Sequence, residues 1–371
     1  MDIGIPRETR PREHRVALTP SGVRALVQRH HRVWVESQAG LDAGHPDADY
    51  ESAGARIAYS RHEVFTRARL LTTVFAPAPS EYEQLERDQA VFGFWALPAA
   101  RPEDFRALMA REVTAVAIEA IEDDAGRAPV RTSMSEVAGS LAVIMGSTLL
   151  LNESGGKGIL LGGVAGVPPA HFVVLGAGVL GRAAARAAMG LGAQVTLLDQ
   201  SVEHLRDAAR ELPPGVTTML ATTPNIEKAL SFADLVLGAV AVSGLRAPVL
   251  VTRAMLRLMK PRTVVLDLSI DMGGCFETSR PTSLLSPTYE IDGILHCCIP
   301  NLPSVAARSA TQAFTNATLP YLQAVADDGM EEALRAHPDL ARGVQIHRGR
   351  CASELLARTF GVEWRPLAEG D

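Results

Sequence analysis

The sequence predicts an α/β protein in which helices pack on a buried, doubly wound parallel β-sheet. Apolar runs typical of strands alternate along the chain with helical segments, and this alternation is typical of parallel sheets. Aromatic residues make up only 5% of the 371 residues, whereas Ala, Leu, Val and Gly dominate. This composition favours helices on a buried sheet over a β-sandwich. The length suffices for two domains.

The first part of the chain alternates strands with helices as far as residue 121. A helix is predicted to begin with Thr19 as its N-cap and Pro20 at the first helical position, with Val23, Leu26 and Val27 on one face. The strands predicted here are rich in β-branched and aromatic residues or stopped by proline, and they cover residues 2–6, 32–37, 68–77, 89–98 and 114–121.

The pattern changes after Ser135. Residues 136–152 form a predicted apolar helix that is rich in small residues. Residues 171–201 are predicted to form a strand, a glycine turn, a helix and a second strand. Further strands are predicted over 233–240 and 262–271, and helices return from about residue 305.

Charge excludes two classes of partner. The formal net charge is -6, so no global basic field exists to hold nucleic acid or anionic lipid. One segment, Gly158 to Gly181, carries no formal charge for 24 residues, which is a membrane-spanning length. Pro168, Pro169 and His171 interrupt this segment, so we predict two buried strands joined by a turn and no membrane span.

The cysteines indicate a reducing compartment. Cys275, Cys297, Cys298 and Cys351 form no C-x-x-C pair, and no histidine stands at zinc-finger spacing from them, so no metal site is expected. Disulfide bonds among four cysteines would be too few to stabilise a chain of this length. The first residues are charged and lack the apolar core of a signal peptide, so a cytoplasmic location is predicted.

A glycine motif predicts a dinucleotide site. Gly176, Gly178 and Gly181 follow an apolar strand and open an alanine-rich helix, the arrangement that lets a backbone approach a pyrophosphate. Asp199 ends the next predicted strand, 18 residues after Gly181, where a carboxylate accepts both ribose hydroxyls and repels a 2′-phosphate. A tight turn that binds nothing is the alternative. The combination of strand, glycines, helix and acid favours NAD as the cofactor.

Long motifs across the chain resemble the alanine dehydrogenase family, whose fold is shared with the NAD-binding domain of proton-translocating transhydrogenase. The matching segments are IGIPRETRPREHRVALTPSGV at 3–23, MSEVAGSLA at 134–142, GGKGILLGGVAGVPPA at 155–170, DLSIDMGGCFETSRPT at 267–282, NLPSVAARSAT at 301–311 and TNATLPYL at 315–322. The resemblance therefore spans nearly the whole chain in register.

The resemblance implies two Rossmann-like, doubly wound parallel-sheet domains with a cleft between them that holds the active site. A discontinuous substrate domain would comprise residues 1–135 and 305–371, and an NAD-binding domain residues 136–304. Family members are typically hexamers and some relatives are dimers, so a homo-oligomer that acts on a small molecule is expected.

The resemblance also implies cofactor-binding residues. Ser135 would bind a cofactor phosphate alongside Gly178 and Val179, and Asp199 would bind the adenosine ribose. The residues implied for the nicotinamide half are Ala239, Val240, Leu268, Asp271, Asn301 and Leu302. Gly176 and Gly181 complete the cofactor turn.

Two residues match substrate-site residues of the family. Arg15 matches the arginine that holds the substrate carboxylate, and Asp271 matches the active-site aspartate near the nicotinamide ribose and the substrate. Arg15 lies in an arginine-rich loop, 7–15, whose other charged residues are expected at a solvated surface. His14 is weighed as a replacement acid, although neighbouring side chains of a loop often diverge.

Two further positions depart from the family pattern. The family's K-V-K-E-P is Thr73-Val-Phe-Ala-Pro77 here, so Phe75 replaces the lysine that binds substrate oxygen. The family's F-L-H-L-A is Phe94-Trp-Ala-Leu-Pro98, so Ala96 replaces the histidine that acts as acid and base. The substrate pocket predicted from this resemblance comprises Arg15, Phe75, Trp95, Ala96 and Asn301.

Three functions remain open at this point. The first is an NAD(H)-dependent oxidoreductase that transfers hydride with an amino-acid-like or imino-acid-like substrate other than alanine, suited to a specialised biosynthetic pathway. The second is a catalytically silent NAD-binding paralogue, because a fold does not by itself imply an activity. The third is a lyase or cyclase that uses bound NAD as a transient oxidant.

Overall fold

The computed structural model describes residues 1–241 and 246–367, which divide into two compact units. Unit 1 comprises Met1–Met134 and Ser304–Asp371, of which residues 368–371 lie outside the described part, and unit 2 comprises Ser135–Pro303. These bounds differ by one residue at each junction from the predicted domains. The roles predicted for the two domains stay predictions.

The described residues form an α/β structure. Its strands are β1 Asp2–Ile5, β2 Arg32–Glu36, β3 Arg56–Ala58, β4 Leu70–Phe75, β5 Ala90–Phe94, β6 Thr114–Ala117, β7 His171–Leu175, β8 Gln194–Asp199, β9 Thr217–Leu220, β10 Leu235–Gly238, β11 Val264–Asp267, β12 Tyr289–Ile291, β13 Ile294–Cys297, β14 Val344–His347 and β15 Arg350–Cys351. Its α-helices are α1 Pro20–Val27, α2 Asp47–Ser52, α3 Arg61–Arg67, α4 Pro102–Ala110, α5 Pro129–Leu149, α6 Val179–Gly190, α7 Val202–Glu211, α8 Thr223–Phe232, α9 Arg253–Leu256, α10 Ala307–Asp328, α11 Met330–Ala336, α12 Pro338–Gly343 and α13 Glu354–Phe360.

Unit 1 contains an eight-stranded sheet in the order β15-β14-β6-β5-β4-β1-β2-β3. Its strands pair in parallel from β6 to β3, and β14 pairs antiparallel with both β6 and β15. The chain order reverses between β1 and β4. The carboxyl ends of these two strands therefore flank a topological switch point, where ligands bind in open α/β sheets.

Unit 2 contains a seven-stranded sheet in the order β12-β13-β11-β10-β7-β8-β9. All its pairs are parallel except the edge hairpin of β12 and β13. The order reverses between β7 and β10, which places a second switch point at the carboxyl ends of those strands. Strand residues such as Phe172, Val174, Leu197 and Leu237 are fully buried between helices.

The start of α1 confirms the predicted cap. The Thr19 hydroxyl accepts a hydrogen bond from the Gly22 N–H at 3.3 Å, and Pro20 occupies the first helical position. The α5 helix begins at Pro129, seven residues before the predicted start, because the helix already includes the MSEV segment at 134–137.

One prediction was wrong in part. Residues 158–181 were expected to hold two buried strands, but the structure has a single strand there, β7, and 158–170 form turns with one isolated bridge between Val164 and Val167. Glycines with positive φ at Gly158, Gly163 and Gly166 explain the difference, because that backbone region cannot continue a strand. Across residues 1–241 and 246–367, no helix has the length and apolar character needed to cross a membrane.

Candidate active site

The glycine turn of unit 2 has the shape of a dinucleotide cradle. Gly176 has φ +113, and a Cβ atom there would collide with the Ala239 carbonyl oxygen of the neighbouring strand. A Cβ at Gly181 would collide with the Gly176 carbonyl oxygen, so the helix packs closely on the turn. A Cβ at Gly178, the N-cap of α6, would meet no atom within 4 Å. The turn therefore needs its first and third glycines for packing and keeps open space at the second, where a pyrophosphate would lie.

The Asp199 side chain is hydrogen-bonded to this turn. One carboxylate oxygen accepts the Ala177 N–H at 2.7 Å, and the other accepts the Ser201 N–H at 2.8 Å. The carboxylate therefore stands at the carboxyl end of β8, beside the N-terminus of α6. A second negative charge, such as a 2′-phosphate, is disfavoured at this place.

The neighbouring strand ends of unit 2 carry the residues implied for the nicotinamide half. Ala239 and Val240 follow β10, and the Val240 N–H donates to the Ser269 hydroxyl at 3.0 Å. Leu268 follows β11 in a short 3₁₀ helix. The buried carboxylate of Asp267 stabilises the start of this helix by accepting the Ser269 N–H at 3.0 Å. It also accepts the Cys275 N–H and the Ser279 hydroxyl.

The structure brings Asp271 and Asn301 together. The Asn301 N–H lies 3.2 and 3.3 Å from the two carboxylate oxygens of Asp271, and Asn301 has φ +52. Asp271 is exposed, whereas Leu302, the next residue after Asn301, is buried. Ser135 is partly buried within α5.

Arg15 of unit 1 is held rigidly by one carboxylate. Its Nε and Nη2 atoms donate to the two oxygens of Glu13 at 2.7 and 2.6 Å, and its own N–H donates to the same side chain at 2.9 Å. Its Nη1 atom donates to the Met134 sulfur at 3.3 Å, a weak acceptor. Arg15 is only 2% exposed. A bidentate pair this well buried fixes the plane of the guanidinium.

Phe75 lies beside two guanidinium groups. The Arg10 guanidinium is 3.9 Å from the centre of the Phe75 ring, and that of Arg15 is 5.6 Å from it. The Phe94 ring lies 5.9 Å from Phe75, and Phe314 continues this aromatic row. A cation over an aromatic face is stabilised by the ring quadrupole. The position thus combines an apolar surface with nearby positive charge.

Glu8 lies beside Phe75 and binds its backbone. Its carboxyl oxygens accept the N–H groups of Val74 and Phe75 at 2.7 and 3.3 Å. Burial raises the pKa of Glu8 to about 7, and the charge of Glu13 adds to the rise. Glu8 therefore changes its ionisation near neutral pH.

Directly after β5, backbone N–H groups donate to a second acid, Glu119. Ala96 is exposed and has φ +47, and its N–H and that of Trp95 donate to Glu119 at 2.7 and 3.0 Å. The Trp95 indole is buried in the core and donates to the Val91 carbonyl at 3.3 Å. Phe75 is the more exposed of the two predicted pocket aromatics. The contact predicted between Trp95 and a substrate stays a prediction.

Family models match both parts of the chain. The N-terminal domain of alanine dehydrogenase/PNT matches residues 4–138, and the C-terminal domain of alanine dehydrogenase/PNT matches residues 142–354. The chain belongs to the alanine dehydrogenase/PNT family. It is an oxidoreductase of that family, whose enzymes depend on NAD, and this agrees with the cofactor predicted from the sequence.

Individual members of the family are similar over almost the whole chain. The alanine dehydrogenase of Halomonas elongata is 43% identical over 364 residues, which are 98% of each chain. A solved L-alanine dehydrogenase has a TM-score of 0.92 and 40% identity, covering 97% of this chain and 99% of its own. A transhydrogenase from Sinorhizobium meliloti has a TM-score of 0.80 and 26% identity, covering 95% and 99%.

Sequence reasoning missed four charged residues of the candidate site in unit 1. Glu8, Arg10 and Glu13 belong to the loop that was expected to be a solvated surface, and this expectation was wrong for Glu13, which is buried under Arg15. The signal available was their position directly after β1, at the switch point. Glu119 follows β6 in the same way. His14, weighed as a replacement acid, pairs instead with Asp42 at 2.9 Å.

Proposed function

We propose that this member of the family is an NAD(H)-dependent oxidoreductase that acts on the C–N bond of an amino or imino acid other than alanine. The observation that carries the proposal is the Phe75 ring, which lies beside the guanidinium groups of Arg10 and Arg15. The curated relatives are alanine dehydrogenases, which supports the class of reaction. The apolar ring supports a different substrate side chain.

The residues of unit 2 fit the cofactor. The open space at Gly178 and the N-terminus of α6 suit a pyrophosphate, and the Asp199 carboxylate suits the ribose hydroxyls. When bound, NAD(H) supplies the redox chemistry by exchanging a hydride with the substrate. Ser135, Val179, Ala239, Val240, Leu268, Asp271, Asn301 and Leu302 are proposed to contact it.

Arg15 is proposed to bind the substrate carboxylate. Glu13 already fixes the guanidinium plane, so little rotamer freedom is lost when a ligand binds. The Met134 sulfur beside Nη1 is a far weaker acceptor than a carboxylate. Exchange of the sulfur for a carboxylate therefore favours binding.

Phe75 and Ala96 are proposed to select the substrate side chain. Neither can donate a proton or a charge to a carbonyl oxygen, and a positioned acid typically contributes about 10²–10⁴-fold to such a step. An aryl or large alkyl group would instead pack on Phe75. Alanine, whose side chain is one methyl group, gains little from that surface.

A panel of substrates tests the proposal. Amino acids, 2-oxo acids with ammonia and cyclic imines are screened for a change in NADH absorbance, with NADP(H) as the matched cofactor control. We expect turnover with an aryl or branched alkyl substrate, activity with L-alanine lower by about 10³-fold than with that substrate, and much weaker use of NADP(H). L-alanine as the best substrate of the panel would contradict the proposal.

A further inference from the structure

The two carboxyl oxygens of Glu119 differ in their hydrogen bonding. Oε1 accepts the N–H groups of Trp95 and Ala96 at 3.0 and 2.7 Å. Oε2 is buried and has no hydrogen-bond partner in the part of the chain that the structure describes. A buried polar atom without a partner is costly, so such an atom indicates a missing donor or a bound proton.

The position of this orphan oxygen points to a ligand. The two N–H groups hold the Glu119 carboxyl against the backbone of residues 95 and 96, directly after β5. Glu119 follows β6, which pairs with β5, so the carboxyl lies at the carboxyl edge of the unit 1 sheet. Ala96 is exposed and Glu119 is partly exposed. A small molecule at this edge of the sheet can supply a donor to Oε2.

The surroundings of Glu119 suit a group that exchanges protons. Burial is the largest influence and raises its pKa, while the N–H groups of Trp95 and Ala96 and the charge of Arg131 lower it. Arg131, on α5, donates to Glu122 at 2.7 Å. Arg10, on the loop after β1, also interacts electrostatically with Glu119 and lies over the Phe75 ring.

We propose that Glu119 is a catalytic residue that binds the substrate nitrogen through Oε2 and exchanges a proton with it. The inference rests on the proposed function, in which Phe75 and Ala96 replace the family's lysine and histidine and so leave unit 1 without those two proton-exchanging side chains. In the direction of amine oxidation, an N–H bond of the substrate ammonium breaks and its electron pair stays on nitrogen. The proton forms a bond to Oε2, so ammonium and carboxylate become amine and carboxylic acid.

Glu119→Gln separates this role from a structural one. The amide oxygen of Gln still accepts both backbone N–H groups, whereas the amide cannot take up a proton. For the substrate found in the panel, we expect kcat to fall by about 10²-fold or more, with KM raised by no more than about tenfold and an unchanged melting temperature. The pH dependence of kcat that belongs to Glu119 should disappear. Glu332→Gln removes an exposed acid that pairs with Arg335 and is the matched control, with kcat unchanged.

A binding measurement tests Glu119 without turnover. Calorimetry with NAD present compares L-phenylalanine with 3-phenylpropanoate, which lacks the amino group. The wild-type protein should prefer the amine by about tenfold, and Glu119→Gln should lose this preference. Turnover that survives the substitution at full kcat overturns the role of Glu119 and leaves the proposed function standing. Amine preference without any turnover contradicts the proposed function alone, and absence of the preference in the wild-type protein overturns the assignment of Glu119.

Discussion

At the scale of single residues, Glu8 links the candidate site to the pH dependence of stability. Burial, aided by the charge of Glu13, raises the pKa of Glu8 from 4.5 to about 7, although the N–H groups of Val74 and Phe75 oppose the rise. Between these two pH values the folded protein holds a proton that the unfolded chain has released. The free energy of unfolding that Glu8 contributes therefore falls as pH rises through this window and is level above it.

Glu8→Gln should remove that slope. We expect the stability of the variant relative to the wild-type protein to increase from pH 4.5 to pH 7, by at most about 3 kcal/mol. Urea unfolding at several pH values across the window measures the difference. Glu332→Gln, at an exposed acid paired with Arg335, controls for the loss of a surface carboxyl. A difference between Glu8→Gln and wild type that stays constant with pH would show that Glu8 titrates as in the unfolded chain.

At the scale of elements, the turn between β7 and α6 contains one glycine that we expect cofactor binding to require, Gly178, and one that helix packing requires, Gly181. Gly178 has open space where a Cβ atom would be, and Gly181 has the Gly176 carbonyl oxygen there. Gly178→Ala should therefore leave the melting temperature within about 2 °C of wild type, since a surface substitution rarely exceeds about 0.5 kcal/mol, and raise the Kd for NAD by at least about tenfold.

Gly181→Ala is the matched variant, with the same methyl group three residues further on. It should lower the melting temperature clearly, because the helix must move away from the turn to admit the methyl group. Differential scanning fluorimetry and calorimetry with NAD measure both properties. Unchanged NAD affinity in Gly178→Ala would mean that the pyrophosphate does not approach this residue.

The elements also show how far the sequence predicts the structure. The parallel strands β1, β2, β4, β5 and β6 were predicted because their segments are rich in β-branched and aromatic residues or are stopped by proline. The antiparallel β14 and β15 were not predicted, since they span only four and two residues, too few to show a periodic pattern.

The candidate site likewise has features that could be predicted from the sequence and features that could not. The glycine turn could be predicted because its residues are contiguous and its steric needs are local. The pairing of Glu119 with Ala96 could not, because the two residues lie 23 positions apart and meet only through the pairing of β5 with β6. The buried Glu13–Arg15 pair lies in a loop rich in charge, where composition alone favours an exposed surface.

At the scale of the whole molecule, each unit gathers its candidate residues at the carboxyl edge of its own sheet. In unit 1 they end or follow β1, β4, β5 and β6, and in unit 2 most of them end or follow β7, β8, β10, β11 and β13, with Ser135 on α5. A family member that is 40% identical to a solved L-alanine dehydrogenase thus keeps the shared fold while Phe75 and Ala96 alter its proposed substrate chemistry. We propose that these two residues set the choice of substrate.

The ratio of kcat/KM for L-alanine to kcat/KM for L-phenylalanine, measured with NAD, tests this claim most directly. We expect a ratio well below one for the wild-type protein. For the double variant Phe75→Lys with Ala96→His, which restores a cation and an acid, we expect a ratio at least about 10²-fold higher. A wild-type ratio above one, or a ratio that the double variant leaves unchanged, would show that Phe75 and Ala96 do not set the choice of substrate.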